Sequence, residues 1–399
     1  MGERDHLAQG EGTAESRHAA GFDVPLHTRL LRQLSKSERA CYQTALALLS
    51  SGRGLLALAR EGDLPLAGLG VYEALLTRSW EIRFQDKEEM ISLANAAVEV
   101  AARFDSEALG AQQVADLRAR AWGELANSYR AADQLRSADR AFGQAFHFQT
   151  LGTDDPYLKA RLFDLSASLL GTWRDFALAE ARLRAAADLY LELGEPHLAG
   201  RAFISQALYT FYSCRPEEAL RLNQQGKKLI NPRRERSLFL MAVHNDLLFL
   251  VDLGRYTEAK RVLFDSRQHF IYQDRFNALR LRGIEGRIEY GLGKLLSAEA
   301  AFRETRDGFD EAGAPFLAAI ARLDLAMVLV SQSHLDDAEQ EVLAARNLFK
   351  SVEAYREFLG TMVYLEEVFR RRTVTPALIQ NSIAEIWRKN LQVGPRHFR

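Results

Sequence analysis

The chain has 399 residues, of which 47% are hydrophobic and 26% are charged, and its formal net charge is −1. This composition indicates a folded globular protein, and the balanced charge excludes a general electrostatic attraction to nucleic acid or to an anionic membrane. Cys41 and Cys214 are too few and too far apart for a disulfide framework or a thiolate metal site, which favours a reducing compartment. The sequence shows neither a secretion signal nor an apolar run of roughly 20 residues, so we expect a cytoplasmic protein without a membrane anchor.

The first 110 residues lack the register of the repeat that follows them. Residues 1–27 are rich in glycine, alanine, histidine and charged residues without periodicity, a composition that predicts a disordered tail. In residues 28–110, Ser35 followed by Glu38 matches a helix-capping box, and apolar-rich helices follow. We expect these helices to form an N-terminal helical cap or degenerate repeats, because a repeat array needs atypical end units to cover its last apolar face.

A repeat of about 40 residues occupies residues 111–352. Its anchor is a column of alanines separated by 39 to 41 residues: Ala138, Ala179, Ala219, Ala259, Ala298 and Ala338. A second column, seven residues later, is small at every step: Ala145, Ala186, Gly226, Ser266, Thr305 and Ala345. A third column, twelve residues before the anchor, is small in five of six: Ala126, Ala167, Ala207, Leu247, Gly286 and Ala326. Small residues at fixed places permit close helix crossings, so the columns predict six helical hairpins, followed by capping helices in residues 353–399.

The first repeat carries the most specific motif. Trp122, Leu125, Ala126 and Tyr129 have the spacing of the large and small residues in a tetratricopeptide unit. Together with the columns, this motif predicts an all-α fold: a tetratricopeptide-like α-solenoid, in which antiparallel helix hairpins with a period of about 40 residues stack into a right-handed superhelix.

Beyond the repeat class, the sequence resembles a group of bacterial tetratricopeptide-repeat (TPR) proteins. The resemblance covers roughly residues 65–399 and is carried by Leu117–Tyr129, Gly200–Ala202, His244–Ala259 and Arg282–Ile288. It implies a bacterial, non-enzymatic adaptor or regulator, without fixing the identity of its partner.

Sequence signatures of an enzyme are missing. The chain has no phosphate-binding Gly-rich loop followed by Lys and Ser or Thr, no His-Glu-x-x-His, no Gly-x-Ser-x-Gly and no Cys-x-x-Cys. Its histidines are scattered, and a helical pair such as His334 with Asp337 lacks a third ligand. We therefore predict neither catalysis nor a bound cofactor or metal ion.

The candidate binding residues form a row along the first helices of the hairpins. Eighteen residues before the anchors stand Arg120, Arg161, Arg201, Met241, Arg280 and Ile320. The first helices of tetratricopeptide proteins line a concave groove, and arginine can bind a carboxylate with two hydrogen bonds. The predicted contacts to a protein or peptide segment, with an acidic segment favoured, are Arg120, Arg161, Arg201 and Arg280, which we call the arginine row, together with Asn127, Arg130 and Arg287.

A structural role for the same arginines stays open. Arg120 can pair with Asp116 one turn before it, and arginines of later hairpins can pair with acids in the preceding connection, such as Asp155. The two interpretations differ in one outcome. Charge reversal of Arg161 and Arg201 abolishes partner binding without unfolding if they contact a ligand, and it unfolds the chain if they are structural.

The predicted function is a scaffold or regulator that captures a protein segment in its groove, for example to hold a sigma factor or a protease inactive. An alternative is a peptide-sensing transcriptional regulator, for which only residues 26–60 leave room for a DNA-reading helix pair. The basic residues there are Arg29, Arg32, Lys36, Arg39, Arg53 and Arg60. They are spread too thinly for a convincing recognition helix, so nucleic acid is the less favoured partner. An enzyme is the third alternative.

Overall fold

The computed structural model describes residues 24–53, 68–83, 85–267, 275–351 and 355–392. Within these ranges the regular secondary structure is helical and contains no strand, which confirms the all-α prediction. The helices are α1 (Val24–Gln33), α2 (Lys36–Leu48), α3 (Leu69–Glu81), α4 (Lys87–Ala102), α5 (Ser106–Leu109), α6 (Ala111–Ala131), α7 (Leu135–Thr150), α8 (Pro156–Thr172), α9 (Phe176–Glu192), α10 (Pro196–Tyr212), α11 (Pro216–Leu229), α12 (Arg236–Asp252), α13 (Tyr256–Ser266), α14 (Arg275–Gly291), α15 (Leu295–Glu311), α16 (Pro315–Ser331), α17 (Leu335–Phe349), α18 (Tyr355–Arg370) and α19 (Pro376–Gln392). None of the helices in these ranges has the length and apolar character needed to cross a membrane.

Helices α6 to α17 form six consecutive hairpins, each with a first and a second helix. The six turns share one backbone conformation. A residue five positions before the anchor alanine adopts a positive φ of 60 to 75°: Asp133, Arg174, Cys214, Gly254, Gly293 and Ser333. The N–H of the following residue donates to the carbonyl five residues before it, at 2.8 to 3.2 Å, which is the bond of a Schellman motif at a helix end.

The small-residue columns lie where helices cross. All six anchor alanines are fully buried. Gly286, in the column twelve residues before the anchor, shows why size is limited there. A Cβ atom at Gly286 would lie 2.7 to 3.0 Å from ring atoms of the buried Phe302. The columns therefore mark close packing of the helices, as the sequence predicts.

The chain divides into two compact units between Phe203 and Ile204, a point inside α10. The N-terminal unit holds α1 to α9, and its largest hydrophobic cluster includes the fully buried Tyr72 of α3. The C-terminal unit holds α11 to α19 with the last turns of α10. Its largest cluster is built around α16, where all but three of the 17 residues are buried.

Helix α1 begins inside the segment that the sequence predicts to be a tail. Val24 is its first residue, so the last four residues of the predicted tail 1–27 are helical. The reason is packing: Leu26 is 8% exposed and belongs to a cluster with Leu158 of α8. Residues 1–23 lie outside the described part of the chain.

Helices α18 and α19 occupy the region predicted to cap the array. Helix α19 packs against α16, where Trp387 meets Phe316 edge to face with ring centroids 5.1 Å apart, and Ile379 and Ile383 join the core. Thr375 Oγ1 accepts a hydrogen bond from the third N–H after it at 3.3 Å, a helix cap that the Thr-Pro sequence favours. Helix α19 therefore covers part of the first helix of the last hairpin.

Candidate functional site

The arginine row of the N-terminal unit is buried and bound to carboxylates of the same unit. Arg120 on α6 is 5% exposed and donates two hydrogen bonds to Glu73 on α3, from Nη1 to Oε2 at 2.7 Å and from Nη2 to Oε1 at 3.0 Å. Glu73 is fully buried and also contacts Nδ1 of His27. Burial raises the pKa of Glu73, but Arg120 and His27 together lower it by more, so the pKa lies below its ordinary value. The site holds this carboxylate in its charged form.

The same arrangement recurs one hairpin further along. Arg161 on α8 is 4% exposed and donates to Glu124 Oε1 on α6, from Nε at 2.9 Å and from Nη2 at 2.8 Å. Asp164, also on α8, is buried, and burial raises its pKa although Arg161 and Arg201 lower it. Arg201, in the first turns of α10, is 5% exposed. Acidic side chains on one first helix therefore attract arginines on the next, from α6 to α8 and from α8 to α10.

A fixed sequence offset connects these acids to the arginines. Glu124 precedes Arg161 by 37 residues, and Asp164 precedes Arg201 by the same number. The offset is about three residues short of a repeat, so Arg161 binds an acid on the first helix of the preceding hairpin, and the charge of Arg201 acts on Asp164 at the equivalent place. This offset is visible in the sequence, but the acids predicted as partners lie one turn away or in the connections.

The acids that the sequence suggested have other partners. Asp116 accepts from the Thr153 hydroxyl at 2.5 Å and from its N–H at 3.2 Å. Asp155 caps α8 by accepting from the Tyr157 N–H at 3.0 Å, and it pairs with Arg29 of α1. Burial and the nearby charge of Asp155 raise the pKa of Asp116, while the Thr153 bonds oppose the shift.

Burial limits what the arginines of this unit offer to a ligand. Arg130 is 7% exposed, and its Nε and Nη2 donate to Asn127 Oδ1 on the same helix at 3.2 and 2.9 Å. Asn127 is half-buried. Among the predicted contact residues of this unit, Asn127 therefore has the most accessible side chain, and the four arginines lie between packed helices. Direct contact between those arginines and a partner stays a prediction.

The two predicted residues of the C-terminal unit are half-buried. The Arg280 guanidinium lies 5.1 Å from the centre of the Phe276 ring, one turn earlier on α14. Arg287 has a side chain that is 24% exposed, and its Nε and Nη2 donate to Asp324 Oδ2 on α16 at 3.1 and 2.9 Å. Asp324 is buried, and burial raises its pKa by more than Arg287 lowers it.

Arg280 and Arg287 belong to a surface that we call the open face. It is formed by the adjacent first helices α12 and α14. The half-buried side chains that define it are Met241, His244 and Leu248 on α12, and Phe276, Arg280 and Arg287 on α14. Their spacings of three, four or seven residues place each set along one side of its helix. The open face therefore combines apolar side chains with two guanidinium groups.

The next first helix along the chain does not extend this surface. On α16 the position of Arg280 is taken by Ile320, which is 4% exposed, and α19 packs against the same helix. The aromatic residues near the middle of the chain are mostly core as well. Tyr209 and Phe249 are buried, and the half-buried Phe211 packs on Phe249 with ring centroids 4.8 Å apart. In the part of the chain that the structure describes, no group of three or more His, Cys, Asp or Glu side chains is arranged to hold a metal ion.

The hairpins, their common turns and their small-residue columns define a fold of the tetratricopeptide-repeat type, and solved structures share it. One is a STAND protein (signal transduction ATPase with numerous domains) with a tetratricopeptide repeat sensor from Pyrococcus horikoshii. It matches 90% of this chain with a TM-score of 0.57 and 15% identity. Another is a Rap protein complexed with Competence and Sporulation Factor, which matches 88% of this chain and 99% of its own, with a TM-score of 0.50 and 15% identity.

These likenesses concern the fold. This chain spans 56% of the length of the STAND protein, and at 15% identity neither neighbour fixes an activity or a partner. No protein-family model matches the chain, and no curated protein matches it.

Proposed function

We propose that this protein is a scaffold that captures an acidic, amphipathic segment of a partner protein on the open face and thereby regulates that partner. The observation that carries the proposal is the make-up of the face. Arg280 and Arg287 share α14 with the half-buried Phe276, and the adjacent α12 carries the half-buried apolar side chains of Met241 and Leu248. Guanidinium groups bind carboxylates through paired hydrogen bonds, and apolar side chains on the same surface favour a segment with one apolar side.

The two arginines are held in place before any partner arrives. Asp324 binds Nε and Nη2 of Arg287, and Phe276 supports the Arg280 guanidinium. Side chains that are already ordered lose less conformational freedom on binding, which favours affinity. The capture of a signalling protein, such as a sigma factor or a protease, is the regulatory role that we propose for this arrangement.

The fold and the N-terminal contacts favour a scaffold over the alternatives. A Rap protein of the same fold forms a complex with Competence and Sporulation Factor. A DNA-reading head at the N-terminus would depend on basic residues that are engaged within this chain. Arg29 pairs with Asp155, and Arg39 donates to the Leu31 carbonyl at 3.0 Å. The sequence also lacks the motifs of common enzymes, which supports a non-catalytic role.

The test compares two arginine variants during affinity purification from native cells. Arg280→Gln removes one charge from the open face. Arg303→Gln is the matched control, because Arg303 lies in the same unit on a second helix, where it is 52% exposed and pairs with Glu299 at 2.6 Å. We expect the wild type and Arg303→Gln to retain the same protein, and Arg280→Gln to bind it about tenfold more weakly by calorimetry. Equal retention by both variants would contradict the proposal.

A further inference from the structure

Helix α1 lies against α3 and α8 in the N-terminal unit. It contacts α3 through His27 and Glu73, and α8 through the salt bridge between Arg29 and Asp155. Arg29 Nη1 donates to Asp155 Oδ1 at 3.2 Å, and the guanidinium lies 5.4 Å from the centre of the Tyr157 ring. The first helices at this end of the unit therefore already hold a helical segment.

The docked helix is amphipathic. Leu26 and Leu30 of α1 and Leu34, the residue after its end, recur every four residues, and each is at most 9% exposed. Arg32 and Gln33 are exposed. The surface beneath α1 thus selects three leucines at positions i, i+4 and i+8, together with a basic residue at i+3 that reaches an acid at the start of α8.

Helix α1 is short, and its ion pair with α8 is exposed. Its ten residues are fewer than the roughly 12–15 that even a marginally stable isolated helix needs, so α1 depends on docking for its helical structure. A cleft of about 200 Å³ that opens to solvent lies beside it, and its lining combines the leucines Leu26, Leu30 and Leu158 with the charged Asp116 and Asp155. The Arg29 side chain is 47% exposed, and exposed ion pairs stabilise little.

The unit can release α1 without leaving a buried charge uncompensated. Glu73 contacts His27 of α1, but Arg120 of α6 binds the same carboxylate with two hydrogen bonds of its own. Arg120 therefore still neutralises Glu73 when α1 departs. Asp155 becomes available to a new cation in the same step.

We infer that α1 is a displaceable occupant of a helix-docking surface on α3, α6 and α8, and that an amphipathic helix of a partner protein binds there in its place. The partner helix carries leucines at i, i+4 and i+8 and an arginine or lysine at i+3, as α1 does. This inference concerns the N-terminal unit and does not depend on the open face of the C-terminal unit.

The test uses a fluorescent peptide with the sequence Val24–Ser35 as the partner helix. Leu26→Ala/Leu30→Ala in the full chain weakens the docking of α1, and Arg32→Ala/Gln33→Ala is the matched control on its exposed side. We expect the leucine variant to bind the peptide at least about tenfold more tightly than the wild type and the control do. A peptide with aspartate in place of Leu26 and Leu30 should not bind to any of the three proteins.

Hydrogen exchange of the wild type provides a second measurement that needs no variant. We expect the amides of α1 to exchange faster than those of α6 and α8 at equal intrinsic rates, because α1 opens alone. Equal protection of all three helices, or equal peptide affinity of the leucine variant and the wild type, would overturn the inference. A wild-type dimer that the leucine substitutions dissolve would also overturn it, because α1 would then dock on a second copy of the chain.

Discussion

Buried ion pairs join the first helices of the N-terminal unit, whereas apolar packing dominates between those of the C-terminal unit, where the half-buried Arg287 also pairs with Asp324. In the first, Arg161 binds Glu124, 37 residues earlier, while both side chains lie between packed helices. In the second, the corresponding positions are Ile320 and Gly283, and the core around α16 is almost entirely apolar. Adjacent hairpins can therefore pack with either charged or apolar contacts between their first helices.

The arginines of the row also differ from one another in the residue that precedes them by 37 positions. Arg161 and Arg201 each follow an acid by 37 residues, whereas the residue at that offset before Arg280 is the buried Val243. Arg280 is half-buried and lies over an aromatic ring. Its surroundings differ from those of Arg161 and Arg201 in the N-terminal unit, and this difference is the reason that the proposed partner contact includes Arg280.

Reversing the charges in the N-terminal unit should have the largest effect. Arg161→Glu/Arg201→Glu places two carboxylates beside the acids that the arginines now neutralise. Breaking one buried ion pair typically costs about 3–5 kcal/mol, so we expect the double variant to unfold the N-terminal unit. Urea unfolding followed by circular dichroism measures the loss. Arg140→Glu/Arg184→Glu, on exposed positions of α7 and α9, is the control and should leave the urea midpoint nearly unchanged.

That experiment also decides between the two roles of the arginines. If Arg161→Glu/Arg201→Glu keeps the wild-type urea midpoint and loses a partner, the arginines contact a ligand, and their electrostatic contacts with acids of the same unit are not needed for folding.

Glu73→Gln should cost about 3–5 kcal/mol, because it leaves the buried Arg120 without its carboxylate. The effect depends on pH. The folded pKa of Glu73 lies below its ordinary value of 4.5, so its stabilising contribution is present above about pH 4.5 and is lost as the pH falls through the lower, folded value. Unfolding by urea between about pH 3 and pH 7 should therefore show the two proteins converging in acid. A constant difference across this range would contradict the assignment.

Gly286→Ala tests the apolar packing of the C-terminal unit and should cost about 1–3 kcal/mol, because the new methyl group meets the ring of Phe302. Gly283→Ala is the control on the same helix. Its Cβ would lie 3.5 Å from Thr305, an ordinary contact, so the higher helix propensity of alanine should instead stabilise the protein by up to about 1 kcal/mol. Thermal unfolding of both variants distinguishes them by sign.

Asp324→Asn should have the smallest effect, within about 1 kcal/mol at neutral pH, because burial disfavours its charge despite Arg287. The sign with pH is opposite to that of Glu73. A raised folded pKa gives a contribution that is fully present below the ordinary value of 3.8 and is lost as the pH rises through the folded value. The free energy of unfolding of the wild type should therefore rise relative to that of Asp324→Asn as the pH falls. A loss at neutral pH as large as that of Glu73→Gln would remove the distinction between the units.

The hairpin fold follows from local sequence, since the columns record residues that must be small wherever two helices cross. The electrostatic contacts between first helices were not predicted, because each joins residues 37 or more positions apart. Only a search at an offset of 37 reveals Glu124 with Arg161 or Asp164 with Arg201. The burial of the arginines could not be predicted from the sequence either. An arginine on a helix is usually at the surface unless it has a buried partner, and the partner was not known.

The two ends of the hairpin array are covered through contacts between segments that lie far apart in the sequence. Helix α1 docks on α8, and α19 returns to α16, so neither contact follows the repeat register. The open face was therefore predicted in part. Arg280 and Arg287 come from the columns, but their access depends on which neighbouring helices the end segments cover.

The hairpin turns also affect the order in which the array comes apart. Four of the six turns hold a residue with a side chain at positive φ, which costs roughly 1–2 kcal/mol in local strain, whereas Gly254 and Gly293 adopt it freely. Repeat arrays lose structure one hairpin at a time, so the strained turns favour early fraying. The two relaxed turns belong to the hairpins that carry the open face, and limited proteolysis should leave these two connections intact after the others are nicked.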